Sequence, residues 1–496
     1  MESFDVVIVG AGIGGLTAAA RLAGGGLRVA VYEQNERVGG KLNLVEAGGY
    51  RFDTGPSLLT MPQVLRDHFA AMGKRLADYL TLTPVEPICR YRWPDGSTLD
   101  ASADADRMAA AIDALCGEGE GYRRFLAYSK GIYERTAEVF IYGDLTPRNV
   151  LTALRRRPLD PLQIDAFSTV HRSVSRFFRD PRLRQLFDRY ATYNGSDPYR
   201  APATLNVIPY VEYGFGAWYV QGGMYRIAEA LARLAEEEGA CITTSTAVQR
   251  IVVEGGRAVG VELVSGELVR ARAVLTNADV LHSYSKLLAP ADRPRYPDRR
   301  LAAIEPSCSG FVVLLGVRGN YPQLSHHNIF FSPDYRAEFA DLFGRKQPSM
   351  QPTIYVTATS KADPTQAPAG SENIFILVNA PYLTARTGGD WWARHKDRYR
   401  EIILARLANF GLDFHAGLEY EQVITPSDLA EHYGAWRGAI YGLSSNSRFA
   451  AFARPPLRAS IGGLYFAGGS THPGGGIPLV TLSGTAAARL IALDLA

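Results

Sequence analysis

Apolar and polar residues follow two different periods in the first forty positions of the chain. Residues 4–9 are a short, β-branched apolar run, which predicts a buried parallel strand. The small apolar residues from Leu16 to Leu22 predict a helix packed tightly on that strand, and residues 27–33 predict a second strand. Together they predict a βαβ unit, and therefore an α/β fold with a parallel sheet.

The rest of the chain also alternates between strand patterns and helix patterns, in longer segments. A hairpin is predicted over residues 88–100, and the pattern is then helical from about 103 to 178. Residues 242–275 predict a three-stranded β-meander. Helices near residues 391–410 are expected to cover a second, mixed sheet, whose strands are predicted at 310–317, 353–357 and 373–378.

The turn between the first strand and the helix carries glycines with G-x-G-x-x-G spacing at Gly10, Gly12 and Gly15, with Gly14 between them. Gly10 permits the tight turn, Gly12 lets the backbone approach a pyrophosphate, and Gly15 lets helix and strand touch. Glu33 ends the second strand about 20 residues further on, where a carboxylate accepts hydrogen bonds from ribose hydroxyls. This context predicts a dinucleotide site.

The residues after Glu33 indicate which dinucleotide is bound. A second glycine pair follows in the pattern E-x-x-x-R-x-G-G, and F-D-x-G-P stands at residues 52–56. Both patterns resemble the FAD-containing amine oxidase and carotenoid desaturase superfamily, in which this loop lies along the pyrophosphate and flavin and a β-meander residue contacts adenine. The resemblance implies that the cofactor is FAD. In addition to the first glycine motif, the residues implied to bind it are Arg37, Gly39, Gly40, Lys41, Gly55, Pro56 and Val248.

A second glycine-rich loop, residues 468–478, lies between a predicted strand at 464–467 and a helix from about 479 to 493. A glycine loop that enters a helix N-terminus is an anion site. In a flavoenzyme it would serve the ribityl chain or the flavin O2 edge through Gly468, Gly469, Gly476 and Ile477.

The end of this loop reads T-H-P-G-x-G-I-P, and with residues 276–282 and 324–328 it is similar to bacterial-type phytoene desaturases over nearly the full chain. The resemblance implies FAD-dependent removal of hydrogens from a linear carotenoid by a membrane-associated enzyme of carotenoid biosynthesis. It also implies a Rossmann-like FAD-binding domain of the glutathione reductase type, a discontinuous mixed-sheet substrate domain and a helical lid.

This resemblance predicts how the chain divides. The FAD-binding domain is expected to comprise 1–75, 216–295 and 441–496, and the substrate domain 76–102 and 296–440. Residues 103–215 are the expected helical lid and the candidate membrane contact.

Residues 220–221, 469–470 and 479–482 depart from the phytoene-acting pattern, and residues 192–196 are considered together with them. They look closer to members that act late, such as hydroxycarotenoid 3,4-desaturases. Two other classes stay open. A flavin amine oxidase would need an aromatic cage for its substrate, which Tyr210, Tyr213 and Trp218 could imitate. A carotenoid isomerase using reduced FAD would transfer no net electrons.

The chemistry of desaturation needs no metal, and the sequence shows no metal, serine or cysteine catalytic motif. Hydride is expected to leave an allylic carbon for flavin N5, followed by a proton, with quinone or oxygen as the final acceptor. No catalytic residue is assigned. His472 could accept the proton, although a hydrogen bond that holds its loop is favoured. His326 and His327 lack a carboxylate or cysteine at ligand spacing, so a structural role at a strand end is expected.

Composition indicates the cellular setting. A net charge of +3 without a basic stripe gives no sign of nucleic-acid binding, and four scattered cysteines favour a reducing cytoplasm. No charged leader precedes the first strand, and no uninterrupted apolar run reaches about 18 residues, so neither a signal peptide nor a spanning helix is expected.

Membrane contact is therefore expected to be peripheral. A helix predicted over residues 162–178 would place Phe167, Val170, Val174 and Phe177 on one face. Either this face packs on a core, or it enters a bilayer while nearby arginines meet anionic headgroups, namely Arg155, Arg156, Arg157, Arg172 and Arg176.

Overall fold

The structure, a computed structural model, describes residues 4–143, 152, 155, 163–447 and 454–496. Its strands are β1 (Phe4–Val9), β2 (Val29–Tyr32), β3 (Leu44–Ala47), β4 (Tyr50–Asp53), β5 (Leu82–Pro84), β6 (Cys89–Arg92), β7 (Thr98–Ala101), β8 (Trp218–Val220), β9 (Cys241–Thr243), β10 (Val248–Glu254), β11 (Arg257–Leu263), β12 (Leu268–Thr276), β13 (Ser309–Arg318), β14 (His327–Phe330), β15 (Ile354–Ala358), β16 (Ser371–Ala380), β17 (Leu418–Ile424) and β18 (Leu464–Phe466).

The α-helices in the described part are α1 (Ile13–Gly24), α2 (Pro62–Ala70), α3 (Ala105–Cys116), α4 (Gly119–Thr136), α5 (Val170–Val174), α6 (Pro181–Asp188), α7 (Val207–Phe215), α8 (Arg226–Glu237), α9 (Val280–His282), α10 (Asp298–Ala303), α11 (Tyr335–Phe339), α12 (Asp390–Ala408), α13 (Pro426–Tyr433) and α14 (Ile477–Leu495). Short 3₁₀ and π-helical segments extend or connect several of them.

The first sheet has the strand order β10-β11-β12-β1-β2-β9, and β18 also pairs with β12. β1 runs parallel to both of its neighbours, with Val6 opposite Val29 on one side and Ala273 on the other. The β-branched residues of β1 are buried because this strand is covered on both faces; Val6 packs in the cluster that contains α1, and Val7 in a second cluster. The predicted βαβ unit and α/β fold are confirmed.

The second sheet has the order β17-β13-β16-β15-β14-β6-β7. Its pairs are antiparallel except β14 with β6, so the predicted mixed sheet is also confirmed. The predicted 88–100 hairpin supplies its last two strands. Helix α12 covers one face, where Trp392 and Tyr399 pack against Phe311 of β13.

One predicted helix is wrong. Residues 163–178 form turns and the short helix α5 instead of one continuous helix. Asp165 has a φ of 54°, a left-handed conformation that interrupts a right-handed helix. Thr169 then begins α5 as its N-cap, because its hydroxyl accepts a hydrogen bond from the backbone N–H of Arg172.

The membrane-facing stripe expected on this segment belongs largely to the core. Val170 and Val174 are buried, and the ring of Phe177 packs edge-on against Phe125 at 5.4 Å between centroids. Of the four stripe residues, Phe167 points outward, with 65% of its surface exposed. The stripe is apolar because it packs inside the protein. Three residues named for this contact, Arg156, Arg157 and Leu162, lie outside the described residues.

The C-terminal helix α14 has the length and apolar composition of a membrane span, which the sequence pattern did not predict. In the structure 44% of its apolar window is buried. Gly484 packs so closely on α1 that a Cβ at this position would lie 2.3 Å from the carbonyl oxygen of Gly14. This contact is that of an internal helix–helix interface.

Candidate functional site

The site begins at the glycine turn between β1 and α1. Asn277 directly follows β12, and its side chain lies over the glycine turn after β1. A Cβ on Gly12 would lie 2.5 Å from Asn277 Nδ2, and a Cβ on Gly14 would lie 2.6 Å from its Oδ1. A side chain at either position would therefore displace the amide of Asn277 from the turn. Asn277 is a site residue that motif spacing alone did not reveal, because the fold brings it to the turn from a distant strand.

The other two glycines of the motif serve the packing of the turn. A Cβ on Gly15 would lie 2.3 Å from the carbonyl oxygen of Gly10, so only glycine lets α1 approach β1 this closely. Gly10 has a φ of 92°, which favours glycine.

Glu33 lies against this turn. Its side chain is buried, and Oε2 accepts a hydrogen bond of 2.8 Å from the backbone N–H of Ala11. Oε1 accepts two bonds from Asn35, from the backbone N–H at 2.9 Å and from Nδ2 at 2.8 Å. Because a carboxylate has about four acceptor positions, Glu33 is fixed in place and can still accept from a ligand hydroxyl.

The second glycine pair is stacked on the first. Gly39 donates its N–H to the carbonyl of Ala11 at 2.8 Å, and a Cβ on Gly40 would lie 3.3 Å from the Cα of Gly12. Gly55 in turn touches the loop, since its Cβ would lie 2.1 Å from the carbonyl oxygen of Lys41. Three segments that are separate in sequence therefore form one glycine-lined surface.

The C-terminal loop meets the same surface. Gly468 has a φ of 106° and donates its N–H to Ser483 Oγ at 3.1 Å; a Cβ on Gly468 would lie 2.9 Å from Asn277 Oδ1. Gly476 is the N-cap of α14, which begins at Ile477. Neither α1 nor α14 has a side-chain cap at its N-terminus, so backbone N–H groups there are available to an anion.

Arg454 contacts this loop, and Lys41 lies at the neighbouring segment 439–440; both interact with the carboxylate of Asp279. Arg454 donates to the carbonyl of Gly469 at 2.9 Å and to Asn194 Oδ1 at 2.7 Å, and Lys41 Nζ donates to the carbonyl of Ile440 at 2.6 Å. Desolvation lowers the pKa of Arg454 to about 10 and lowers the pKa of Lys41, while the charge of Asp279 acts in the opposite direction on both. These groups carry a net positive charge, which suits a negatively charged ligand.

The remaining predicted site residues lie at the margin. Arg37 pairs with Glu46 at 3.2 Å on the surface, and Pro56 is half-buried. Val248 is the first residue of β10, opposite Leu263. The hydrogen bond of 3.1 Å between His472 Nε2 and the carbonyl of Gly143 is of the loop-holding kind expected for this histidine.

Residues 13–492 match the family described as flavin containing amine oxidoreductase. The chain belongs to this family. Relatives align with it along nearly their full length. It is 39% identical to a 4,4'-diapolycopene oxygenase of Methylomonas sp, over 99% of this chain and 98% of that protein. It is 37% identical to a 1-hydroxycarotenoid 3,4-desaturase of a Flavobacterium sp., over 98% of each.

Solved structures of two amine oxidases share the fold. A cyclohexylamine oxidase from Brevibacterium oxydans superposes with a TM-score of 0.60 at 18% identity, covering 100% of both chains. A putrescine oxidase bound to putrescine gives a TM-score of 0.62 at 17% identity, covering 99% of both. Membership of the flavin containing amine oxidoreductase family makes this chain an oxidoreductase with FAD as its cofactor.

The glycine-lined surface fits FAD. Asn277 Oδ1 is buried and has no hydrogen-bond partner among the described residues, so it can accept from a ligand. The uncapped N-terminus of α1 suits a pyrophosphate, and the fixed carboxylate of Glu33 suits a ribose. The net positive loop at Gly469 suits a flavin edge that becomes negative on reduction.

Four polar residues, Ser57, His326, His327 and Tyr355, form a group beside the second sheet that we call the polar wall. Ser57 Oγ is hydrogen-bonded to Tyr355 Oη and lies 3.0 Å from His327 Nε2. His326 and His327 are both buried, and their Nδ1 atoms have no partner among the described residues. Among all the residues that the structure describes, no group of histidine, cysteine, aspartate or glutamate side chains is arranged to hold a metal ion.

Burial keeps both histidines neutral, since it lowers the pKa of His326 to about 4 and the pKa of His327 well below its usual range. Below pH 6.5 the unfolded chain binds a proton at His326 that the folded chain does not. Stability is therefore lost as pH falls from about 6.5 towards 4. Between pH 7 and 5 we expect His326 to contribute a loss of about 2 kcal/mol.

Unfolding by urea at the two pH values measures this effect. His326→Gln should lose about 2 kcal/mol less than the wild type between pH 7 and 5, whatever its stability at pH 7. The surface variant His415→Gln is the matched control. An unchanged pH dependence in His326→Gln would show that this histidine is protonated in the folded protein.

Proposed function

We propose that this protein is an FAD-dependent desaturase of a linear carotenoid. The observation that carries the proposal is the pair of relatives at 39% and 37% identity, aligned end to end, whose names both describe oxidation of a carotenoid. The specific motif at residues 471–478 agrees with them, because its resemblance is to carotenoid desaturases rather than to amine oxidases.

In this proposal the glycine-lined surface holds the cofactor. FAD, when bound, accepts a hydride from an allylic carbon, and the neighbouring carbon loses a proton so that a double bond forms. Arg454 would stabilise negative charge beside Gly469, and Lys41 would add positive charge from the segment at 439–440. The residues that would hold FAD are Gly10, Gly12, Gly14, Gly15, Glu33, Arg37, Gly39, Gly40, Lys41, Gly55, Pro56, Val248, Asn277, Gly468, Gly469, Gly476 and Ile477.

The polar wall supports an oxidation that needs little acid or base. His326 and His327 are neutral, and their Nδ1 atoms have no partner among the described residues, so either ring could take up a proton from a strongly acidic carbocation. Ser57 and Tyr355 orient His327 through the hydrogen bonds described above. Both histidines are buried, so a carbon that reacts beside them would be shielded from bulk water.

The substrate is proposed to be a late carotenoid. The 37% relative is named a 1-hydroxycarotenoid 3,4-desaturase, and residues 220–221 together with 192–196 look closer to members that act late. Action on phytoene itself stays a prediction. A linear carotenoid is insoluble in water, so peripheral contact with a membrane is part of the proposal, although the predicted stripe does not provide it.

Expression in cells that accumulate phytoene, neurosporene or a 1-hydroxycarotenoid tests the proposal. We expect the late substrate to give a pigment that absorbs further to the red and lacks two hydrogens. Cells that carry Gly12→Val are the control. Geometric isomers of unchanged mass, or no change in any strain, would overturn the proposal.

Oxygenation of a terminal carbon is the second candidate. It is favoured by the 39% relative and by a 36% relative from Staphylococcus aureus named 4,4'-diaponeurosporene oxygenase, which covers 97% of this chain. Molecular oxygen would supply the added atom, and two electrons from a cellular reductant together with two protons would convert its second atom to water. Isotopically labelled oxygen distinguishes the two outcomes because only the oxygenated product acquires the label.

A further inference from the structure

A buried ion pair lies in the helical region, apart from the glycine-lined surface. Arg189 directly follows α6 and Glu212 lies in α7, with 3.7 Å between Arg189 Nη2 and Glu212 Oε1. Their side chains are only 7% and 2% exposed. Removing two charges from water costs free energy that their attraction often does not recover. A contribution to stability therefore does not explain this pair, and another role is needed to explain it.

Tyrosines enclose this pair. Tyr190 Oη donates to Glu212 Oε1 at 2.6 Å, and Tyr193 Oη donates to Oε2. Arg189 Nη2 donates to Tyr91 Oη at 2.7 Å, and its guanidinium carbon lies 4.5 to 5.3 Å from the ring centroids of these three tyrosines. With Tyr213, whose ring is 6.2 Å from that of Tyr190, these residues form what we call the Arg189 cage.

The cage has donors that the protein does not use. Arg189 Nε and Tyr213 Oη are buried without a hydrogen-bond partner among the described residues. Burial and the charge of Glu212 raise the pKa of Tyr213 well above its usual range, so its hydroxyl stays protonated. Leaving a buried donor unpaired destabilises the folded protein. These two donors, one of them on Arg189 itself, suit an oxygen atom that accepts hydrogen bonds.

The cage and the polar wall share one face of the second sheet. Tyr91 of β6 lies opposite Ile329, which lies opposite Tyr355, so these three side chains point to the same side. Tyr355 contacts Ser57, directly after Pro56. Strands are about 4.8 Å apart, so Tyr91 and Tyr355 are separated by roughly 10 Å across the sheet. One end of a linear molecule could reach the cage while its next carbons lie at the wall.

We propose that the Arg189 cage binds the oxygen atom at the end of a linear carotenoid. Arg189 and Tyr213 donate to this oxygen, and Glu212 accepts the proton of a hydroxyl through its remaining acceptor positions. The inference rests on the proposed function and assigns to the substrate an oxygen-bearing end group. A hydrocarbon end would leave the same buried donors unpaired, which is how such a site discriminates.

Tyr213→Phe tests this with little risk to the fold, because the hydroxyl that it removes has no partner in the described protein. The readout is the ratio of kcat/KM values for a 1-hydroxycarotenoid and for the corresponding hydrocarbon, each delivered in the same vesicles. We expect the wild type to prefer the hydroxylated substrate, and Tyr213→Phe to reduce this ratio by about tenfold or more. FAD content and Tm should not fall.

Tyr122→Phe is the matched control. Its hydroxyl is also buried without a partner among the described residues, and its ring packs edge-on against Tyr213 at 5.9 Å, yet it contacts none of the charged cage groups. It should leave the ratio unchanged. An unchanged ratio in Tyr213→Phe, a wild type that prefers the hydrocarbon, or a Tyr213→Phe protein with a lower Tm would each overturn the inference. Failure of the wild type to oxidise either substrate would instead refute the proposed function.

Discussion

Replacing Gly12 by valine should give a folded protein that does not retain FAD. The Cβ of any side chain at Gly12 would lie 2.5 Å from Asn277 Nδ2, above the N-terminus of α1 where the pyrophosphate is proposed to bind. Asn277 can rotate away, so the fold survives, but the valine methyls then fill the space of the phosphates. We expect FAD affinity to fall more than about a hundredfold, equivalent to about 3 kcal/mol.

The flavin-to-protein ratio after reconstitution and gel filtration measures this loss, and circular dichroism reports the fold. Gly344→Ala is the matched control, since a Cβ at Gly344 has no atom within 4 Å. It should bind FAD like the wild type. Full flavin occupancy in Gly12→Val would contradict the proposed position of the pyrophosphate.

The second large effect is expected at the interface between α14 and α1. A Cβ on Gly484 would lie 2.3 Å from the carbonyl oxygen of Gly14 and 2.9 Å from the Cβ of Thr17. Gly484→Leu must push two helices apart, and it displaces the glycine turn at the start of α1. Overpacking of this kind costs about 3 kcal/mol, and we expect at least that loss in the free energy of unfolding.

Urea unfolding of the apoprotein compares this variant with Leu493→Ala, a change in the same helix at a residue that is 65% exposed. The control should stay within about 0.5 kcal/mol of the wild type. If Gly484→Leu were as stable as the control, α14 would not pack on α1 as the structure shows, and its apolar surface would need another partner.

The sequence was most informative where the determinants are local. The first βαβ unit could be predicted because strand, turn and helix follow one another, and each glycine has a separate steric reason. The hairpin at 88–100 and the strands of the second sheet also had clear local patterns.

The errors and omissions have a common physical cause. The 162–178 stripe has helical spacing, but the left-handed Asp165 interrupts the chain, and burial of Val170 and Val174 needs only one turn. Asn277 reaches the glycine turn through pairing of β12 with β1. The Arg189 cage joins β6, α7 and the segment after α6, which are distant in sequence. Tertiary contacts of this kind leave no periodic signal.

One measurement tests the central claim most directly. The wild-type protein with bound FAD is mixed, without oxygen, with one equivalent of a 1-hydroxycarotenoid in vesicles, and the oxidised-flavin absorbance and the product mass are recorded. The account predicts that the amount of flavin reduced, seen as loss of its absorbance, equals the amount of a product that lacks two hydrogens. An aliphatic amine should cause no loss of flavin absorbance. Bleaching by the amine, or conversion of the carotenoid to an isomer while the flavin stays oxidised, would contradict it.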